Sequence, residues 1–266
     1  CAVLQEAAGV FIDGRYRTQV KAQVAQEFTP VPWPEVSLAD WLKDQLHQGG
    51  VVGFDPWLHT PGQLAKIEEG LQGSDITLKR SENLVDRIWA DQPPAPMGEA
   101  QVHPIAFAGE SHDDKRKRLA ETLREAGQKA ALITLPDSHN WLLNIRGQDI
   151  PRNPVAHGFA VLHDDGRVDL FMSAAKLAEV QGHLGEKVTQ REPDTLPAYL
   201  EQLEGPVRLD QQTAPVALAD ILGERAVWGE DPCALPKACK NDAEIAGAAE
   251  AHLRDGAAVV EQLAWL

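Results

Sequence analysis

"NWLLNIRGQDIPRNPV", residues 140–155, sets an apolar run against Arg146-Gly147-Gln148-Asp149 and stiffens its exit with Pro151 and Pro154. Taken alone, the stretch reads as a helix end, a turn and a loop. Gly147 can end a helix, and the residue before each proline is pushed toward extended backbone. Its neighbours place it in a fold. Upstream, "DDKRKRLAETLREAG" (113–127) has the pattern of an amphipathic helix, and "KAALITL" (129–135) that of a buried strand. "DSHNWLLNI" (137–145) follows as a helix capped by Asp137 or Ser138. Downstream, "AVLHDDGRVDLF" (160–171) is a strand, a turn and a second strand. Residues 140–155 thus join a helix–strand–helix to a hairpin, and the prolines set the angle of the joint.

The hairpin has a counterpart. Sliding the chain by 158 positions brings "AVLQEAAGVF" (2–11) onto "AVLHDDGRVDLF" (160–171). "SLADWL" (37–42) then meets "TLPAYL" (195–200), and, with a slip of two positions at its start, "GGVVGFDPWLHTPGQLAKIEEGL" (49–71) meets "GPVRLDQQTAPVALADIL" (205–222). Each of the last pair is a strand ending in Asp followed by a helix. One repeat of this length indicates a duplicated domain rather than a solenoid. Only the second copy has its helix–strand–helix within the sequence, so the first is expected to need one before Cys1. Alternating helices and strands with hairpins indicate α/β lobes with mixed sheets. The boundary falls in the proline-rich "DQPPAPMGEAQVHP" (91–104).

The ends carry further expectations. Asn241 with Glu244 makes an N-cap and capping-box partner, and Ile245, Ala248, Ala249, Leu253, Val260 and Leu263 follow at helical spacing. The chain opens inside a strand without Met and stops at Trp265-Leu266 without a capping glycine, as expected of a piece of a longer protein. A length of 266 residues fits two domains. The net charge of −15 argues against nucleic acid and anionic membrane as partners. No apolar run has the length of a membrane span. The cysteines, Cys1, Cys233 and Cys239, are odd in number and form no C-x-x-C, which suits a reduced, cytoplasmic setting.

A search for chemistry within the chain returns little. No H-x-x-x-H occurs, and His157 and His163 would stand roughly 20 Å apart along a strand. Cys233, Cys239 and His252 lack zinc spacing. Ser138-His139 and Ser111-His112 are sequence neighbours, which do not face each other on a helix. No G-x-S-x-G, P-loop or G-x-G-x-x-G is present, and Gly49-Gly50 precedes a strand rather than following one. Asp164-Asp165 suits a hairpin turn. The charge run Asp113–Arg118 reads as a solvated helix face. Spacing alone therefore gives two α/β lobes of an interaction or substrate-gating type.

At "LLNIRGQDIPRNPV" (142–155) the chain resembles the Xaa-Pro aminopeptidases of the creatinase and pita-bread group. "FIDGRYRTQ" (11–19), "VGFDPWL" (52–58), "ENLVDRIWADQPPAP" (82–96) and "KACKNDAEIAGAAEAHLRDGAAVVEQLAWL" (237–266) resemble further family blocks in the same order. Gln92 stands where the family usually has Arg, and Arg152 and His157 also depart from it. The resemblance implies α/β architecture: two duplicated creatinase-like N-terminal lobes with mixed sheets flanked by helices, plus the first helix of a pita-bread domain. It divides the chain into residues 1–94, a first lobe lacking its N-terminal part; 95–235, a second lobe; and 236–266, the start of the catalytic domain.

The function implied is removal of the first residue from peptides with proline in second position. That bond is a tertiary amide with no N–H for a peptidase to grip. The family's two metal ions, manganese, would hold a hydroxide and polarise the scissile carbonyl. Their ligands, two Asp, one His and two Glu, lie in the pita-bread domain, beyond Leu266. The resemblance therefore implies no catalytic residue and no metal ligand in this chain, two Mn2+ ions only in the full-length enzyme, and a cytoplasmic homodimer. The lobes would wall the cleft and help set dimer packing. Arg15 in "DGRY" matches the Arg that reaches toward bound peptide in similar enzymes, where a planar multi-donor fork suits peptide carbonyls or a carboxylate. Its other reading is an exposed Arg paired with Asp13 at a helix start. Arg146 and Asp149 are expected to build the joint, and Trp89 to pack at the interlobe seam. The alternative to an enzyme part is a non-catalytic regulatory or assembly module with creatinase-like lobes, although the sequence has no acidic tail or basic patch to support one.

Overall fold

The computed structural model describes residues 1–266. They form two compact units, Cys1–Ala90 and Asp91–Leu266. The first contains β1 (Ala2–Val3), β2 (Ala8–Ile12), α1 (Val20–Gln23), β3 (Phe28–Pro32), α2 (Leu38–Gln45), β4 (Gly50–Phe54), α3 (Pro61–Leu71), β5 (Ile76–Arg80) and α4 (Leu84–Ile88). The second opens with β6 (Gln101–Val102), α5 (Ile105–Ala108), α6 (His112–Glu125), β7 (Ala130–Ile133), α7 (Pro136–Leu142) and β8 (Ile145–Arg146). It continues with β9 (Phe159–His163), β10 (Val168–Phe171), α8 (Gln181–Leu184), β11 (Val188–Arg191), α9 (Leu196–Gln202) and β12 (Val207–Leu209). It closes with α10 (Val216–Leu222), β13 (Ala226–Trp228), α11 (Ala234–Ala238) and α12 (Asp242–Trp265).

The second unit is built on a mixed six-stranded sheet in the order β11-β10-β9-β7-β12-β13. β7 lies inside it because its sequence, Ala-Ala-Leu-Ile, is apolar on both faces, as a strand covered on both sides must be. Ala131 and Ile133 join the core with Leu119, Leu123 and Leu142 of α6 and α7. Ala130 and Leu132 face the opposite core, with Leu196 and Leu200 of α9 and Leu218 and Leu222 of α10.

The duplication is visible in strand connectivity. In the second unit the antiparallel hairpin β9–β10 is followed by β11 parallel to β10, then α9, then β12 and β13 parallel to each other with α10 between them. In the first, the antiparallel hairpin β1–β2 is followed by β3 parallel to β2, then α2, then β4 and β5 parallel with α3 between them. The first unit has two separate ladders, β1-β2-β3 and β4-β5. In the second unit β7 joins the corresponding ladders.

Helix starts follow local chemistry. Thr60 and Gln63 cap α3 reciprocally with Pro61 at its first position, and Asn241 and Glu244 do the same for α12. The expectation for α7 is corrected: neither Asp137 nor Ser138 caps it. It starts at Pro136 after Leu135, with no side-chain cap. Proline's fixed φ and missing N–H suit that place, and Ser138 is buried one turn in. His157 lies before β9 rather than on it, so the two histidines do not share a strand.

Candidate functional site

The joint at 140–155 is held by one carboxylate. Asp149 Oδ1 accepts from Gly98 N–H at 2.9 Å, and Oδ2 accepts from His157 N–H at 2.6 Å and from the Lys176 ammonium at 2.5 Å. The Asp149 side chain is 0% exposed and that of Lys176 6%. Burial disfavours the carboxylate, but the Lys176 ammonium and the two N–H donors outweigh it and hold the carboxyl below its usual range. Gly147 is required by a close approach: a Cβ there would lie 2.3 Å from Ala156 N. Asn140 completes the joint, accepting from Ala156 N–H at 3.2 Å and donating to Ala156 O at 2.9 Å. Arg146 contributes its backbone to the β6–β8 ladder. Its guanidinium leaves the joint and lies 3.5 Å from His103 Nε2.

That guanidinium lines a cleft of about 930 Å3 within the second unit, shared with Phe107, Asp137, Trp141, Lys237 and Glu244. Lys237 pairs with Asp137 across it, tying α11 to α7. Lys115 stands at its inner end, 1% exposed. Its ammonium donates to Asn144 Oδ1 at 2.7 Å and to Trp141 O at 3.0 Å, and lies 4.2 Å from the centre of the Trp141 ring. Burial lowers its pKa to about 8. Arg116 is also buried, donating to Gly166 O at 2.6 Å and pairing with Asp113. The reading of 113–118 as a solvated face is thereby corrected. Two of its cations turn inward because the Trp141 carbonyl of α7, the Asn144 side-chain oxygen just after α7 and the Gly166 carbonyl of the β9–β10 turn meet them there.

The remaining candidates fall into separate structural roles. Burial holds His139 neutral, with a pKa of about 4, while Nε2 contacts Gly158 O at 3.0 Å. His163, Tyr199 and Arg191 surround Asp169 at 2.8, 2.6 and 2.6 Å. Burial opposes ionisation of Asp169, but these three partners outweigh it and keep the carboxyl well below its usual range. The His112 and His183 rings lie 4.7 Å apart and tilted by 54°, and their Nε2 atoms contact the backbone oxygens of His183 and Leu143. Cys233 is buried, and burial raises its thiol pKa; Cys1 and Cys239 are exposed. No group of three or more His, Cys, Asp or Glu side chains is placed to hold a metal ion. The residues present do not fit a di-nuclear centre.

Arg15 stands at a short 3-10 turn, Gly14–Tyr16, whose N-cap is Asp13. Asp13 accepts from Arg15 N–H at 2.9 Å and from the guanidinium at 2.6–3.2 Å. Side-chain exposure of Arg15 is 80%, so its fork is held by one partner and open to solvent on its other edges. Trp89 is 45% exposed. Arg15, Arg146 and Asp149 stand in motifs of the sequence, whereas Lys115 and His103 carry no such signal and Asp137 suggested only a helix cap. Of the Asp137–Lys237 pair, Lys237 alone lies in a family block.

Residues 1–88 and 91–244 each match a model of the creatinase/prolidase N-terminal domain. A probable Xaa-Pro aminopeptidase P of Aspergillus niger is 35% identical over 97% of this chain and 45% of its own length. One from Leptosphaeria maculans is 33% identical over 99% of this chain and 46% of its own. The crystal structure of X-prolyl aminopeptidase from Caenorhabditis elegans, described as a cytosolic enzyme with a di-nuclear active site, superposes with a TM-score of 0.90 at 31% identity. The match covers 99% of this chain and 45% of that one. The chain spans a little under half the length of the relatives it matches.

Proposed function

Because the chain belongs to the creatinase/prolidase N-terminal domain family, we propose that it forms the non-catalytic amino-terminal lobes of a metallo-aminopeptidase acting on peptides with proline in second position. The supporting observation is the match along nearly the whole chain to less than half of the Xaa-Pro aminopeptidases, with a TM-score of 0.90 to one of them. In this reading residues 1–94 and 95–235 are the lobes and 236–266 begin the catalytic domain. The lobes wall the substrate cleft and take part in a homodimer of a cytoplasmic enzyme. The enzyme's two divalent metals, manganese ions in this proposal, are held outside these residues.

Arg15 is the residue of this chain that touches substrate. Its pairing with Asp13 fixes one edge of the guanidinium and leaves donors for a peptide carbonyl or carboxylate. In the full-length enzyme, Arg15→Ala lowers kcat/KM about tenfold to a hundredfold and leaves Tm unchanged. Arg15→Lys recovers only part, because an ammonium cannot reproduce the fork. Normal kinetics with a lowered Tm would reduce Arg15 to a tie between the β2 end and the 3-10 turn.

A further inference from the structure

Lys240-Asn241-Asp242 turns the chain from α11 into α12, the longest helix of the protein. α12 has 24 residues and so runs for about 36 Å. None of its residues is buried. Core packing therefore does little to fix its direction, which leaves that task to polar contacts at its start. The element it lies against there is α5.

Asn241 uses both ends of its amide at this point. Oδ1 accepts from Glu244 N–H at 3.0 Å, and the Asn241 N–H donates to Glu244 Oε2 at 3.0 Å, which caps α12 reciprocally. The other end of the same side chain turns to α5, where Nδ2 donates to Ala108 O at 2.8 Å. Ala108 is the last residue of α5 and is 1% exposed, so the anchor belongs to the packed part of the unit. Gly109 makes the approach possible. It ends α5 at φ +68°, and a Cβ there would lie 2.2 Å from Asn241 Oδ1. One side chain thus satisfies a free carbonyl at the end of one helix and a free N–H at the start of another. Capping alone does not require asparagine, because Asp, Ser and Thr serve as well. The amide adds a donor on a second atom.

We propose that Asn241 is a positioning residue. By clasping α5 to α12 it fixes the direction in which α12 leaves the second unit, and with it the metal-bearing domain that α12 begins. What α12 carries rests on the function proposed above, whereas the clasp lies wholly within residues 105–244. A tilt of about 10° at Asn241 shifts a point about 20 Å along the helix by about 3 Å. Misplacement of reacting groups by about 1 Å can cost about a hundredfold in rate.

The test places nitroxide labels at Glu121→Cys on α6 and at Asp255→Cys, about 20 Å along α12. Cys1→Ser and Cys239→Ser remove the exposed thiols, and the buried Cys233 stays unlabelled. Double electron–electron resonance reads the separation in the 266-residue protein. The expected result is one narrow distance for the parent and a distance shifted or broadened by about 3 Å for Asn241→Asp. Aspartate keeps the cap but sets a carboxylate oxygen against Ala108 O, so helix content by circular dichroism stays unchanged. Gly109→Ala reaches the clasp from the α5 side and should broaden the distance with Asn241 intact. In an enzyme in which the same residues precede a di-nuclear catalytic domain, Asn241→Asp should lower kcat/KM at least about tenfold with metal content unchanged. A broad distance in the parent, an unchanged one in both variants, or loss of helix content in Asn241→Asp would overturn the clasp. A broadened distance with unchanged kcat/KM would overturn the positioning role. An unsubstituted longer protein without turnover would instead refute the proposed function, and the distances would still decide the clasp.

Discussion

Replacing Asp149 with Ala removes the carboxylate that staples the 140–155 joint. Three groups lose their partner together: the Gly98 and His157 N–H donors and the Lys176 ammonium. The ammonium is 6% exposed, and its other acceptor, His157 O, is distant at 3.4 Å. Breaking a buried pair from one side leaves an uncompensated charge and costs about 3–5 kcal/mol. In a unit of this size each kcal/mol moves Tm by about 2–4 °C, so the thermal transition of residues 91–266 should fall by about 6–20 °C. Lys176→Met alone leaves the carboxylate buried with two N–H donors and costs less. The double variant should recover about 0.5–3 kcal/mol relative to the sum of the singles, the range for groups in one network. Urea denaturation and calorimetry of the four proteins measure the cycle. A Tm change below about 2 °C for Asp149→Ala, or strict additivity in the double variant, would refute the role of the buried pair.

Lys115, with its pKa lowered to about 8, should make stability rise between about pH 8 and 10, because there the unfolded chain binds the proton that the folded chain has released. Lys115→Met should flatten that rise in pH-dependent urea titrations. An aromatic disulfide reagent should titrate Cys1 and Cys239 in the native protein and reach Cys233 only after denaturation, because that thiol is buried and its pKa raised. Rapid modification of all three cysteines would contradict the packing of the α11 start.

The sequence made the fold legible wherever local chemistry and long-range pattern agreed. The repeat, the hairpins, β7 and the α12 capping box all rest on periodicity, turn residues or self-similarity, which are properties of the chain itself. What stayed hidden depends on partners distant in sequence. Lys115 and Arg116 sit in a run that looks like any solvated helix face, and only the arrival of Trp141, Asn144 and Gly166 oxygens makes their burial tolerable. Ser138 offered a plausible cap, but Pro136 starts the helix earlier and turns it inward. Arg146 and Asp149 share a four-residue motif, yet one lines a cleft and the other is buried, because β8 ends between them and the chain bends at Gly147. Arg15 stands out in the sequence through a family block. Its Asp13 partner was visible in spacing, whereas its openness to solvent required the fold.

In the proposed reading, residues 1–266 are a non-catalytic part of a metal-dependent peptidase. It is tested most directly by release of the first residue from Arg-Pro-Pro in the presence of manganese. The assay compares the purified 266-residue protein with an enzyme in which the same residues precede a di-nuclear catalytic domain. The expected outcome is turnover by the longer protein and a rate indistinguishable from buffer for residues 1–266 alone. Metal-dependent turnover by the 266-residue protein would contradict it.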